Sequence, residues 1–298
     1  MLDILLHLPL HAAATLLYAV LGLYFFYTRW YQNTAQDATH NASHTPSTAV
    51  STRTTRTTHT MRNWERASIA LALAVHGVAL YTGLFGANSL HFSFSYAISS
   101  MLWLAALFYW LESFRLRMDG LQAVILPLAA ISSALPLYFP HLRQIEHADT
   151  WGFKVHFLVA MLAYGLFTLA ALHAVFMSII ERRLHRGVLS QRLASLPPIL
   201  AMEASLFRII WLAFSLLTLT LASGFFFSEQ LFSRAATFDH KTVFALAAWL
   251  VFAALLLGRH AYGWRGRTAL RWTLSGFFIL LIAYVGSRFV FEVLLGRL

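Results

Sequence analysis

FKVHFLVAMLAYGLFTLAALHAVFMSII, residues 153–180, is the stretch of sequence that decides the fold class. One of its residues, Lys154, is charged, and almost all the others are apolar or small. A helix needs about 20 mainly apolar residues to cross the hydrocarbon layer of a bilayer. The stretch is therefore long enough to span a membrane, which predicts a transmembrane helix.

The same kind of stretch recurs along the chain. Eight segments are predicted to span the membrane, and they cover residues 4–27, 66–86, 92–111, 121–139, 153–180, 206–227, 241–258 and 272–295. The composition agrees, because 59% of the 298 residues are hydrophobic and only 11% are charged, whereas about a quarter of a soluble domain is charged. The predicted fold class is an all-α, polytopic integral membrane helix bundle with about eight transmembrane helices.

The basic residues indicate how the bundle is oriented. Sixteen of the 22 lie in one set of alternate loops and helix ends, and the other set holds Arg143, Lys154, Arg234, Lys241, Arg288 and Arg297. Loops rich in Lys and Arg stay on the cytoplasmic side, so both termini are predicted on the outer, periplasmic side of a bacterial inner (cytoplasmic) membrane. This topology explains the net charge of +10. Membrane lipids are therefore expected as partners, and nucleic acid is not.

The chain is predicted to form a single membrane domain, residues 1–298. Residues 33–62 are rich in Thr, Ser, His and Asn and poor in large apolar residues, so they are predicted to be a flexible cytoplasmic loop. The absence of cysteine excludes disulfides, thiolate metal sites and iron–sulfur clusters. Glycine-rich phosphate loops and zinc-protease motifs are also absent. Redox chemistry would therefore require a bound cofactor.

Histidine is the most informative residue type, because the chain has 14 of them and an imidazole facing lipid is costly unless it is paired or ligated. His156 lies near the start of the fifth predicted span and His240 just before the seventh, so both are expected near the outer interface. Two histidines from different helices can hold a haem iron from both axial sides. The alternative is two interfacial histidines that hydrogen-bond to lipid headgroups or backbone.

Other histidines are placed at other depths. His76 and His173 are expected near mid-membrane at comparable depth, where they could share a ligand or a hydrogen bond, or be separate core histidines. His260 stands at the inner end of the seventh span, where a site role and a headgroup contact are equally open. His7 and His11, one turn apart in the first helix, are given little functional weight.

A motif in the C-terminal half carries a family resemblance. The run from Lys241 to Phe252 is followed by His260, by Gly263-Trp264-Arg265-Gly266 and by Gly276-Phe277. Residues 224–288 resemble the cytochrome c assembly family, which includes CcsA, CcmC and the HemX- and YpjD-type proteins. The segment from His156 to Tyr164 resembles the helix that begins with the family's first outer-face histidine. Together the similar region covers residues 150–290.

The resemblance implies roles for particular residues. His156 would be an outer-face axial ligand to haem, Asp239 and Lys241 would be the aspartate and lysine of the family's tryptophan-rich motif, and His260 would match a histidine on the inner side. The sequence departs from the motif, because residues 233–239 contain no tryptophan and His240 replaces the expected proline. The sequence also ends at Leu298, about where a second outer-face histidine is expected. The YpjD/HemX-type branch therefore fits better than a synthetase, and enzyme activity is not expected.

The expected function is haem handling or cytochrome c biogenesis. The resemblance implies a non-covalent, b-type haem between helices near the outer face. His156 and His240 are the proposed iron ligands, and His76, His260 and Asp239 are further candidates for the site. Other cytochrome c assembly or haem-synthesis proteins would be the partners. One alternative is a haem-free regulatory or scaffold protein with the same fold. A transporter of small solutes or ions is a further alternative, which the scarcity of intramembrane carboxylates disfavours.

Overall fold

The structure is a computed structural model that describes residues 2–28, 62–85, 91–115, 120–139, 143–144, 150–185, 199–226 and 240–286. These residues form eight α-helices and two very short strands. In chain order the elements are α1 (Leu2–Phe26), α2 (Asn63–Leu84), β1 (His91–Phe92), α3 (Phe94–Glu112), α4 (Gln122–Tyr138), β2 (Arg143–Gln144), α5 (Trp151–His185), α6 (Ile199–Phe226), α7 (His240–Tyr262) and α8 (Arg267–Leu281). A π-helical turn, Ile282–Gly286, continues α8.

The prediction of a polytopic all-α membrane bundle is confirmed. Six of the described helices are long and apolar enough to cross a membrane, namely α1, α2, α3, α5, α6 and α7. Helix α4 is apolar but shorter, with 17 residues and with Pro127 and Pro136 inside it. Helix α8 has 15 residues before its π-helical turn, and the remainder of the predicted span 272–295 lies outside the described residues. The predicted loop 33–62 lies outside them too, except for Arg62.

Helices α1–α4 pack together in the first half of the bundle. Helix α1 lies between α2 and α4, and its Gly22 lets Pro127 of α4 come close, because a Cβ at Gly22 would lie 3.1 Å from the proline Cγ. Helices α2 and α3 are joined by Trp103, whose indole N–H donates to the Leu73 carbonyl at 2.8 Å. Small residues at such crossings let helix backbones approach each other in a membrane.

Helices α5–α8 form the second half, which meets the first half along α3 and α5. At that junction Gly165 of α5 packs directly on the side chain of Leu104 of α3. Within the second half, Phe167 of α5 stacks on Phe252 of α7 with ring centroids 4.1 Å apart. Phe252 also packs on Gly276 of α8. Helices α5, α7 and α8 therefore meet at one apolar layer.

Contacts between helix ends show which ends lie on the same side of the bundle. At one end, His91 and Phe92 pair antiparallel with Gln144 and Arg143, which brings the segments after α2 and α4 together. At the other end, Arg267 at the start of α8 bonds Glu181 near the end of α5 at 2.9 Å. Successive helices therefore alternate in direction, as a multi-pass topology requires.

Many large apolar side chains face outward. Leu16, Val20 and Leu23 of α1 are all at least 64% exposed, and comparable residues lie on the outer surfaces of the other long helices. In water such a surface would be an aggregation hazard. In a bilayer it is the expected surface, because the lipid tails solvate it and the helices satisfy their own backbone hydrogen bonds.

Candidate functional site

His156 is held by α6 at the end of the bundle that the charge pattern assigns to the outer face. Its Nδ1 lies 2.8 Å from the Ser223 hydroxyl. The ring is half-buried and runs beside the backbone of Gly224, where a Cβ would lie 3.4 Å from the imidazole Cε1. A residue on α5 is thus fixed by two consecutive residues on the neighbouring helix, which defines the orientation of its ring.

Two contacts of Ser223 bear on which nitrogen of His156 carries the proton. The Ser223 hydroxyl lies 3.0 Å from the Thr220 carbonyl and 2.8 Å from Nδ1 of His156. A hydroxyl has one donor and two acceptor positions, so when it donates to the carbonyl it accepts from the Nδ1–H of His156. A neutral imidazole with Nδ1 protonated has its lone pair on Nε2. In that arrangement Ser223 is the second group that fixes the tautomer, as metal-ligating histidines normally have one.

Helix α7 begins at His240, and the stacked phenylalanines give its depth relative to His156. His156 precedes Phe167 by 11 residues and His240 precedes Phe252 by 12 residues, so the helical rise places both backbones about 16–18 Å outward of the stacked pair. The side chain of His240 and the whole of Asp239 lie outside the described residues.

His76 is fully buried in the first half of the bundle. Its Nε2 lies 2.8 Å from the Ser99 hydroxyl, and its ring makes edge contacts with His11 and Tyr18 at centroid distances of 6.0 Å and 5.6 Å. His11 in turn contacts Tyr96 at 5.6 Å. These contacts form a buried cluster of polar rings among α1, α2 and α3. His76 therefore contacts residues of α1 and α3, whereas His156 contacts residues of α6.

The structure excludes one of the alternatives left open for His76 and His173. His173 is fully buried, and neither of its ring nitrogens has a hydrogen-bond partner among the described residues. It therefore forms no hydrogen bond with His76, whose Nε2 is at Ser99. His11, to which its place in the sequence assigns little functional weight, is fully buried beside His76. Proximity between α1 and α2 brings these rings together, and no local spacing in the sequence indicates it.

At the opposite end, His260 is exposed beside a compact loop. Arg259 bonds the buried carboxylate of Glu203 at 2.7 Å and the Trp264 carbonyl at 3.1 Å. Trp264 lies flat on Gly258. Gly263 and Gly266 have φ of 65° and 59°, a left-handed conformation that glycine adopts without strain. The Gly-Trp-Arg-Gly motif therefore forms a well-defined turn that joins α7 to α8.

The structure offers few metal ligands besides single histidines. Among the described residues, no group of three or more His, Cys, Asp or Glu side chains could hold a metal ion. A metal held by several protein ligands at once is thus not supported in that part of the chain. An iron already held by a porphyrin requires fewer ligands from the protein, and a single histidine such as His156 has the chemistry to supply one.

Comparison with known protein families shows to which family the chain belongs. The family described as "Cytochrome C assembly protein" matches residues 64–295, which cover all the helices from α2 onward. This chain belongs to the cytochrome c assembly protein family. The expectation from the Gly-Trp-Arg-Gly motif and the helix beginning near His156 is confirmed, and the family region extends further toward the N-terminus than residues 150–290.

Individual relatives point to the same family. The "Inner membrane protein YpjD" of Escherichia coli (strain K12) is 34% identical over 171 residues, which cover 57% of this chain and 64% of the relative. An "Uncharacterized 28.8 kDa protein" of Azospirillum brasilense is 32% identical over 145 residues, or 48% of this chain and 52% of the relative. The "Cytochrome c biogenesis protein CcsA" of Prochlorococcus marinus (strain MIT 9515) is 37% identical over 84 residues, or 28% of this chain and 27% of the relative.

These matches support the predicted YpjD-like branch of the family. The chain spans less than two thirds of the length of these curated relatives. No solved structure matches the chain significantly.

Proposed function

We propose that this family member is an inner-membrane protein of cytochrome c biogenesis that binds a non-covalent, b-type haem between helices near the outer face. In this proposal His156 and His240 would hold the haem iron. The observation that carries it is the contact of Ser223 with both the Thr220 carbonyl and Nδ1 of His156, an arrangement that suits an imidazole whose Nε2 lone pair binds a ligand. The E. coli relative is named an inner membrane protein, and the P. marinus relative is named a cytochrome c biogenesis protein, which supports the location and the pathway.

The proposed second ligand is supported by depth and contact. The backbones of His156 and His240 lie at similar distances from the Phe167–Phe252 stack, by the helical rise. Helix α7 also contacts α6, because the Trp249 indole donates to the Thr218 hydroxyl at 2.9 Å. Both histidines therefore belong to helices that pack on α6. Lys241, adjacent to His240, supplies positive charge at the same end for an anionic propionate.

The residues of this chain would bind and orient the cofactor. Ser223 would hold the His156 ring at one angle and keep Nε2 free of a proton, and Gly224 would leave room beside the ring. Haem iron held by both histidines would supply storage, relay or electron transfer and not oxygen activation. His76, His260 and Asp239 remain secondary candidates. Their proposed role would be in a different step, such as transfer to a partner in cytochrome c assembly or haem synthesis.

A second candidate is a haem-free regulatory or scaffold protein of the same fold. The observation that favours it is that the His156–Ser223 bond already satisfies Nδ1 of an interfacial histidine. In that case the ring serves only to join α5 to α6. The two functions differ in whether Nε2 carries iron.

Haem content distinguishes the two. The protein is produced with ample haem supply and purified in detergent, and the Soret absorbance per chain is measured for the wild type, His156→Ala, His240→Ala and His260→Ala. The proposal expects a red wild type, strong loss of haem in the first two variants, and retention in the third, whose exposed histidine is the matched control. A colourless wild type, or unchanged haem content in both His156→Ala and His240→Ala, would overturn it.

A further inference from the structure

A large apolar groove lies in the outer half of the bundle between α2, α3 and α5. Its volume is about 1050 Å³, and its walls include Gly77, Trp103, Phe153 and Phe157. Val78 and Leu158, which line it, are more than half exposed. The groove therefore opens sideways, toward the lipid phase.

Two polar residues of the lining, Ser100 and Lys154, bear on what the groove could hold, and Tyr81 and Trp103 also carry polar atoms there. The Ser100 hydroxyl is buried and has no hydrogen-bond partner among the described residues. A buried hydroxyl without a partner carries a desolvation cost. The indole N–H of Trp103 differs, because it already donates to the Leu73 carbonyl. A change of the Ser100 side-chain rotamer would turn its hydroxyl into the groove.

Lys154 provides the second polar group and the only charge among the described residues that line the groove. Its side chain is exposed and makes no ion pair with the described part of the chain. In a membrane interface a lysine attracts anionic headgroups, and its apolar stem can lie along the groove while its ammonium group stays in the interface. The groove therefore combines an apolar body with a cationic rim.

The two polar groups are ordered along the bilayer normal. Helices α3 and α5 run in the same direction, and the contact between Leu104 and Gly165 sets their register. Ser100 is four residues before Leu104 and Lys154 is eleven before Gly165, so the backbone of Lys154 lies about 10 Å nearer the outer end. A glycerophospholipid carries its phosphate, its ester carbonyls and its acyl chains in that order from the interface inward. The groove presents a cation, a hydroxyl and an apolar wall in the same order.

The groove is separate from the proposed haem site. His156 turns toward Ser223 on α6, whereas its neighbours Phe153, Lys154 and Phe157 face α2 and α3. No histidine is among the described residues that line the groove, so those residues cannot supply an axial ligand to iron. An occupant must be bound by its apolar body and its negative charge.

We propose that this groove is a binding site for an anionic glycerophospholipid of the outer leaflet. One acyl chain lies between α2, α3 and α5, the phosphate group pairs with Lys154, and an ester carbonyl accepts a hydrogen bond from Ser100. The charge of Lys154 makes the site selective for an anionic over a zwitterionic headgroup, and the hydroxyl of Ser100 gains the partner that the protein does not provide.

Lipid retention tests the site. The full chain is reconstituted in nanodiscs with equal amounts of phosphatidylglycerol and phosphatidylcholine, extracted into mild detergent and examined by native mass spectrometry. We expect retained phosphatidylglycerol to exceed phosphatidylcholine by about fivefold, the preference that one lysine near a membrane surface provides. Lys154→Ala should remove the preference and Lys154→Arg should keep it. The matched control is Arg271→Ala, which removes an exposed cation of α8 away from the groove and should leave the preference unchanged.

A second pair of variants separates the groove from general lipid contact. Val78→Trp fills the groove and should reduce retention of both lipids, whereas Val20→Trp adds the same ring to the lipid-facing surface of α1 and should not. Ser100→Ala should reduce retention without changing the headgroup preference. The proposal is overturned if Lys154→Ala and Arg271→Ala have equal effects, if Val78→Trp retains lipid like the wild type, or if the retained molecule is a neutral lipid or a porphyrin. None of these readouts depends on haem binding.

Discussion

The hydroxyl of Ser223 is the residue-scale feature on which the proposed haem site depends. It lies 3.0 Å from the Thr220 carbonyl and 2.8 Å from Nδ1 of His156, so it can accept the Nδ1–H while it donates to the carbonyl. A neighbour that fixes the tautomer of a metal-ligating histidine also raises its basicity. The sequence identifies His156 through its depth and its family resemblance. The role of Ser223 was not predicted, because the serine lies 67 residues away and only helix packing brings it to the ring.

The first prediction concerns this serine. Ser223→Ala removes the acceptor for Nδ1–H, so we expect haem affinity to fall by about tenfold or more, the usual cost of losing such a partner. The fall is measured by titrating haem into the apo-protein in detergent and following the Soret band. Ser215→Ala on the same helix is the control, because within the described part of the chain its exposed hydroxyl bonds only the Trp211 carbonyl. Equal affinities of the two variants would contradict the assigned role of Ser223.

The second prediction uses the adjacent serines of α3. Ser99 is fully buried and provides the hydrogen-bond partner of His76, whereas the hydroxyl of Ser100 has none among the described residues. Ser99→Ala should lower stability by about 1–3 kcal/mol because it leaves a buried imidazole nitrogen unpaired. Ser100→Ala should be close to neutral in lipid-free detergent. Thermal unfolding followed by tryptophan fluorescence compares the two, and an equal loss in both variants would contradict this account of the His76 cluster.

At the scale of the element, the sequence predicts correctly which segments are helices, but it predicts the first and last residues of each helix less accurately. All eight predicted spans contain a described helix. Helix α6 begins at Ile199, seven residues before the predicted start, because its first turns are buried by other helices through Met202 and Glu203. Helix α8 begins at Arg267, five residues early, because Arg267 pairs with Glu181. Hydropathy detects the lipid-spanning part of a helix and not the turns that pack on protein.

Close helix crossings in this bundle involve glycines of α1 and α5. Glycines indicate close packing, but the side chain that each glycine accommodates belongs to a distant segment. Gly165 accommodates Leu104, where the two halves of the bundle meet, whereas a Cβ at Gly152 on the same helix would meet nothing within 4 Å. The two glycines of α5 therefore have different structural roles that the sequence alone does not separate.

The third prediction follows from this difference. Gly165→Ala should destabilise the protein by about 1–3 kcal/mol, the usual cost of overpacking, because its Cβ would overlap the Leu104 side chain. Gly152→Ala should instead be neutral or stabilising by up to about 1 kcal/mol, since alanine favours a helix over glycine. Thermal unfolding in detergent measures both. The double variant Gly165→Ala with Leu104→Ala should recover part of the loss, and no recovery would argue against a local clash as the cause.

At the scale of the whole molecule, helix ends are grouped into two sets. The pairing of β1 with β2 and the His156–Ser223 bond join ends in one set. The Arg267–Glu181 and Arg259–Glu203 pairs join ends in the other. The distribution of basic residues predicted the same two sets from the sequence. The charge distribution also indicates which of the two sets faces the cytoplasm, because loops rich in Lys and Arg remain on that side. Helix contacts alone do not give this orientation.

The fourth prediction tests that direction, and the absence of cysteine makes each introduced cysteine a unique label. Trp151 at the start of α5 and Tyr262 at the end of α7 are 79% and 80% exposed, so cysteines there should react without disturbing the bundle. In intact spheroplasts a membrane-impermeant maleimide should label Trp151→Cys, and should label Tyr262→Cys only after permeabilisation. The reverse pattern would invert the topology and move His156 to the cytoplasmic side.

The central claim, that His156 ligates a haem iron near the outer face, is tested most directly by chemical rescue. His156→Gly removes the ligand and leaves space for a free imidazole beside Ser223. We expect the variant purified with haem to lose the low-spin bis-histidine spectrum and added imidazole to restore it in a saturable manner. His260→Gly should keep the wild-type spectrum throughout. A His156→Gly protein that keeps the low-spin spectrum without imidazole, or a wild type that binds no haem at full supply, would contradict the claim.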